Sequence, residues 1–171
     1  MAEVPERVRW AVETLRVRPG DRVLEIGCGV GVAVSLLCDR LEDGTITAID
    51  RSAKAIATAG RRNAAHVEAG RAVLEVASLD AFSDAGVFDK IFAINVNVFW
   101  VGRATVELEV IRRHLAPDGR LWLFYEPPTP ENADEVAQKV AGGLQGAGFT
   151  AMVSRKGASL VGVEAAISGT S

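Results

Sequence analysis

With 171 residues, 18.1 kDa, 49% hydrophobic and 24% charged residues, the chain has the size and composition of one globular domain and is too apolar for a disordered one. Nineteen basic against 22 acidic residues leave a net charge of −3 and a pI near 5.5, which disfavours nucleic acid as a partner, and no apolar run approaches the ~20 residues of a membrane span. Two cysteines, Cys28 and Cys38, rule out a zinc or disulfide framework, and the opening Met1-Ala2-Glu3-Val4-Pro5-Glu6 lacks the order of an export signal, so free thiols in a reducing cytoplasm are expected.

Val4, Val8, Val12 and Leu15 recur at helical spacing, so residues 1–16 are expected to form an amphipathic helix closed by Pro19-Gly20. Val23-Leu24-Glu25-Ile26 is a short apolar run feeding glycines, the pattern of a buried strand. Residues 32–41 read as a helix ended by Glu42-Asp43-Gly44. Thr45-Ile46-Thr47-Ala48-Ile49-Asp50 is a second strand, rich in β-branched residues. Ser52 caps an alanine-rich helix running to about Ala65.

Residues 72–76 and 90–94 supply the third and fourth strands. Val106, Val110, Ile111 and Leu115 mark a helix stopped by Pro117-Asp118-Gly119, and residues 121–125 are a fifth strand ended by Pro127-Pro128. Val136, Val140 and Leu144 lie on one more helix, which ends at Gly146-Ala147-Gly148. Residues 149–154 and 160–167 have no room for a helix between them and should pair antiparallel through Lys156-Gly157. Strands apolar on both faces, alternating with helices, indicate a parallel sheet covered on both sides. The expected fold is α/β: a doubly wound, mostly parallel seven-stranded sheet with an antiparallel terminal hairpin, in a single domain spanning 1–171.

In such a sheet, ligands bind outside the carboxyl ends of the strands, where the strand order reverses. The first strand runs into Gly27-Cys28-Gly29-Val30-Gly31, whose alternating glycines let the backbone turn sharply and approach a ligand closely. Nineteen residues after Gly31 the second strand ends in Asp50, a carboxylate able to accept hydrogen bonds from both ribose hydroxyls. Together they indicate a nucleoside cofactor. A dinucleotide fingerprint would need glycine where Val32 stands, and a nucleotide-triphosphate loop would need a lysine after the glycines. Glu25 would repel a pyrophosphate but suits a ligand with a positive centre.

Val23-Leu24-Glu25-Ile26-Gly27-Cys28-Gly29-Val30-Gly31 followed by Ala48-Ile49-Asp50-Arg51-Ser52 resembles the first two signatures of class I S-adenosylmethionine-dependent methyltransferases. Residues 87–95 are similar to that family's fourth-strand motif, and Leu115-Ala116-Pro117-Asp118-Gly119 to its L-x-P-G-G lead-in. The resemblance implies a Rossmann-like methyltransferase fold with S-adenosylmethionine as cofactor. It implies that Glu25, Gly27, Cys28, Gly29 and Gly31 cradle the methionine portion, that Asp50 takes the ribose hydroxyls and that Arg51 stacks beside the adenine. The family's usual acid after the third strand falls near Ala77-Ser78, neither acidic, which leaves Ser78 and Leu79 to hold the base, with Asp80 either reaching it or falling short. The fourth-strand loop begins at Asn95, without the prolines of the N-P-P-Y subclass. Asn95 either lines the site beside the transferable methyl, as the one weak catalytic candidate, or caps the loop.

His66 and His114 read as structural residues, the latter as a cation at a helix end. Glu126 is either a base or a turn-capping carboxylate, and Arg61-Arg62 and Arg112-Arg113 are solvated helix faces. The reading is a methyltransferase acting on a small-molecule acceptor, with a nicotinamide (NAD) oxidoreductase and a non-catalytic S-adenosylmethionine-binding subunit as the alternatives. Acceptor selectivity would come from the first helix, residues 95–103, residues 127–130 or a second copy in a homodimer.

Overall fold

The computed structural model describes residues 2–84 and 86–169. Pro5 sets the start of α1 (Glu6–Leu15), its carbonyl accepting the N–H groups of Val8 and Arg9 at 3.0 and 3.1 Å. The helix therefore begins later than the valine spacing suggests, and Met1 lies outside the described residues. There follow β1 (Arg22–Ile26), α2 (Val32–Cys38), β2 (Thr45–Asp50), α3 (Ala53–Arg62), α4 (Ala64–Glu68) and β3 (Ala72–Val76). A 3₁₀ turn (Leu79–Ala81) leads to β4 (Phe88–Ile94), α5 (Val98–Val101), α6 (Thr105–His114), β5 (Leu115–Tyr125), α7 (Pro130–Gly146), β6 (Phe149–Lys156) and β7 (Leu160–Ile167).

The seven strands form one sheet in the order β3-β2-β1-β4-β5-β7-β6, parallel from β3 to β5 and antiparallel through β7 and β6. Side chains alternate across it. In β4, Phe92 turns to the layer holding α1 and α2, in one buried cluster with Val12, Leu37 and Phe124, while Ile91 and Ala93 turn to the layer of Leu108, Ile111, Val136 and Val140. Trp10 packs edge-on to Phe124 with ring centroids 5.5 Å apart, seating α1 over β5. The order reverses between β1 and β4, and the carboxyl ends of those strands open to a ligand. Cys28 and Cys38 are buried free thiols. Among the described residues no helix is long and apolar enough to cross a membrane.

Two further segments differ from the sequence reading. The alanine-rich helix is broken at Asn63 (φ −108°, ψ 21°) into α3 and α4. The buried Asn63 amide gives the reason: Nδ2 donates to Ala59 O at 3.0 Å and to Gly31 O at 3.1 Å, and Oδ1 accepts from Ser35 Oγ at 2.6 Å. The second correction concerns Leu115, placed on a helix by its spacing. It begins β5, paired with Phe88 across a register shift before Lys90, so Pro117-Asp118-Gly119 lies within the strand rather than between helix and strand. Burial of Leu115 beside Phe88 outweighs the turn signal.

Asn63 thus joins α3 to the turn after β1. Asn63→Ala leaves Ser35 Oγ and Gly31 O without this partner, and should lower unfolding free energy by about 1–3 kcal/mol. Urea titration checks it, and an unchanged midpoint would show that solvent replaces the amide at no cost.

Candidate active site at the carboxyl ends of the strands

The turn leaving β1 is left-handed at Gly27, Gly29 and Gly31 (φ 69°, 55° and 80°). A Cβ at Gly27 would lie 2.8 Å from Val96 Cγ2, and one at Gly31 would lie 2.7 Å from Asn63 Nδ2, so side chains are excluded by space as well as conformation. The N–H groups of Gly27 and Cys28 both donate to Ile49 O, at 2.8 and 3.0 Å. Asp50 completes the hold: Oδ2 accepts the Gly29 N–H at 2.9 Å and Oδ1 the Ser52 N–H at 2.8 Å. Each carboxylate oxygen keeps lone-pair capacity for a ligand hydroxyl.

Beside this turn is a cleft of about 450 Å³. Gly27, Asp50, Arg51, Ser78, Leu79 and Asn95 line it together; Glu25, Cys28, Gly29 and Gly31 do not. Asp80, in the 3₁₀ turn, also lines the cleft, beside the pair Ser78 and Leu79. Asn97 and Glu107 are lining residues that the sequence reading did not single out. Nothing local marks Glu107, which arrives only because α6 packs across the 3₁₀ turn. Asn97 had a signal in its place two residues after Asn95.

Glu25 is buried within the sheet, and its Oε2 has no hydrogen-bond partner. Burial, reinforced by the charge of Asp50, pushes its carboxyl up to about 8. Cys28 is pushed up to about 12 by burial and by the same two carboxylates, so it is a thiol and no nucleophile near neutrality. The Tyr125 hydroxyl is raised by burial and donates to Val96 O at 2.9 Å.

Asn95 adopts a left-handed conformation (φ 56°) at the end of β4. Its N–H donates to Phe124 O at 2.8 Å and its Oδ1 accepts the Glu126 N–H at 2.9 Å, so it caps the loop as well as lining the cleft. Past it is a second hollow of about 520 Å³, which shares Asn95 and Asn97 with the first and adds Trp100, Tyr125, Glu126 and Pro127. The Glu126 carboxylate is 3.0 Å from Arg7 Nη1 in an ion pair that ties α1 to the end of β5. Neither histidine lines either hollow. His66 lies 3.6 Å from Asp39. His114 is buried against Phe82 at the end of α6, its Nδ1 2.8 Å from Val110 O and its Nε2 3.1 Å from Asp84 O and 3.3 Å from Asp84 N, so hydrogen bonds hold it at the helix end.

The buried Glu25 makes ligand-free stability depend on pH. Its folded pKa lies above the unfolded one, so from about 4.5 to about 8 the folded chain holds a proton that the unfolded chain has released. That contribution is complete below the lower value and is lost as pH rises through the upper one. Glu25→Gln should flatten the fall in melting temperature over this window and be more stable than wild type at its alkaline end. Parallel pH profiles for the two proteins would rule out Glu25 as the source.

The protein-family model described as a methyltransferase domain matches residues 24–121. The trans-aconitate 2-methyltransferase of Delftia acidovorans is 32% identical over 139 residues, covering 79% of this chain and 48% of the relative, so the chain spans about half that protein's length. An uncharacterized methyltransferase of Bacillus subtilis, YdaC, is 26% identical over 146 residues, covering 82% and 78%. Among solved structures, the glycopeptide N-methyltransferase MtfA complexed with sinefungin superposes with a TM-score of 0.79 at 18% identity, covering 99% of this chain and 88% of that one, a likeness of fold. From within β1 to within β5 the chain follows the methyltransferase domain, and it belongs to that family.

Proposed function

We propose that this chain binds S-adenosylmethionine in the cleft beside the glycine turn and catalyses transfer of its methyl group to a small-molecule acceptor. The observation that carries the reading is the unpartnered carboxyl oxygen of Glu25 beneath a turn too tight for any side chain at Gly27 or Gly31. A cationic ligand beside it stabilises the carboxylate that burial otherwise disfavours. Asp50, already oriented by two backbone donors, accepts the ribose hydroxyls, while Arg51 flanks the adenine and Ser78, Leu79 and Asp80 meet its edge. The bound cofactor supplies an activated methyl. The chain's own part is to hold donor and acceptor in line, an effect worth up to ~7–11 kcal/mol in favourable intramolecular cases.

A nicotinamide dinucleotide fits less well. Val32 replaces the third glycine, and a pyrophosphate in the cleft would lie beside the carboxylates of Asp50 and Asp80. The second hollow supports a small acceptor: it is concave and opens from the cleft at Asn95 and Asn97. The relative from Delftia acidovorans is named for a small molecule, trans-aconitate.

Titration calorimetry should show binding of S-adenosylhomocysteine and none of NAD; the reverse would overturn the reading. Asp50→Ala should weaken S-adenosylhomocysteine by about 1.5–3 kcal/mol, the range for hydrogen bonds to a charged group. It should also lower the melting temperature, because the Gly29 N–H loses its acceptor. Unchanged affinity in a folded variant would mean that Asp50 serves the turn alone.

A further inference from the structure

Where the two hollows meet, a pair of asparagine amides is fixed in one orientation. Asn95 Oδ1 accepts the Glu126 N–H at 2.9 Å, and Asn97 Oδ1 accepts the Trp100 Nε1–H at 3.2 Å. A peptide N–H and an indole N–H can only donate, so each partner identifies the oxygen end of its amide. What remains to meet a ligand is the NH₂ end of each, and neither has a partner among the described residues. Both residues line both hollows. The junction is therefore set up to donate.

The carboxylates of the second hollow are not free. In the second hollow, Glu126 is paired with Arg7 at 3.0 Å and Glu135 with Lys139 at 2.7 Å. Tyr125 gives its hydroxyl hydrogen to Val96 O. The same two ion pairs cancel the carboxylates that would otherwise repel an organic anion. Trp100, Pro127 and Val136 supply an apolar wall.

On the methyltransferase reading above, we infer that the acceptor atom is a carboxylate oxygen of a small organic acid with an apolar or aromatic body, selected by the amide NH₂ groups of Asn95 and Asn97. An amine must arrive deprotonated and wants acceptors for its N–H, and an alcohol must lose its proton. In the second hollow both carboxylates that could serve either need are already held in ion pairs, while the amide hydrogens face a ligand unpartnered. A carboxylate, with a pKa near ~4, is already ionised at neutral pH and has lone pairs for both donors. One of its oxygens takes the amide N–H groups. The other forms the O–CH₃ bond as the C–S bond breaks, and the bonding pair passes to sulfur. The carboxylate and sulfonium charges cancel to give an ester and a thioether, and no proton moves.

The test uses the complex with S-adenosylhomocysteine and three probes of matched body: phenylacetate, phenethylamine and phenethyl alcohol. By calorimetry, phenylacetate should bind about tenfold or more tighter than the other two, the scale of one hydrogen bond to a charged group. Asn97→Asp keeps the oxygen that accepts from Trp100 and removes the donor, so it should lose phenylacetate affinity by a larger factor than S-adenosylhomocysteine affinity, at an unchanged melting temperature. Phenylacetate binding no tighter than phenethylamine, undetectable binding of both included, overturns the inference, as does wild-type phenylacetate affinity in Asn97→Asp. Failure of S-adenosylhomocysteine to bind at all is a different result: it overturns the cofactor reading, and the inference falls with it.

Discussion

The carboxylate of Asp50 accepts the backbone N–H groups of Gly29 and Ser52, and through them ties the turn after β1 to the start of α3. The turn side of the cleft leans on that arrangement. Ile49 O takes the preceding two N–H groups of the turn, and Asn63 reaches back from the end of α3 to Gly31 O. A turn with three left-handed glycines has little conformational preference of its own. Its shape here is imposed by acceptors that β2 and α3 bring to it. The side chain proposed to hold a ribose is thus also the one that shapes the surface on which the rest of the ligand would lie.

Two carboxyl groups so close together, one of them out of water, set the electrostatic character of the site. Burial keeps Glu25 protonated near neutrality, which relieves its repulsion with Asp50 at the cost of an unsatisfied oxygen. This local frustration is what one expects of a binding site rather than of a stability element. No hydrogen-bond partner among the described residues removes it, and the proposed cationic ligand would. Cys28 shares the same surroundings and is held as an inert thiol by them.

The other side of the cleft is built by β4 and β5. Asn95 bonds to the ends of both strands, to Phe124 through its backbone and to Glu126 through its amide, and Arg7 reaches from α1 to the Glu126 carboxylate. The wall between the two hollows is therefore tied to both strands and to α1, and its polarity is settled by groups that can only donate to it. Between β3 and β4 a single 3₁₀ turn stands where a helix would cover the sheet, which leaves Val73 half-exposed and brings Ser78 to Asp80 directly to the cleft.

What was legible in the sequence was whatever depends on neighbours along the chain. Glycines at alternate positions specify a turn, β-branched runs specify strands, and the short gap at Lys156-Gly157 permits only a hairpin, because each follows from local sterics or chain length. From these the sheet and the positions of Gly27 and Asp50 could be placed. Contacts between residues some thirty positions apart could not. Asn63 ends α3 against an alanine-rich pattern because its amide finds Gly31, 32 residues away, and Asn95 is oriented by Glu126, 31 residues away. Leu115 joins a strand rather than a helix because Phe88 lies beside it. Which end of each amide faces a ligand, and whether a carboxylate beside it is bare or paired, is a property of partners in space, and only the folded chain decides it.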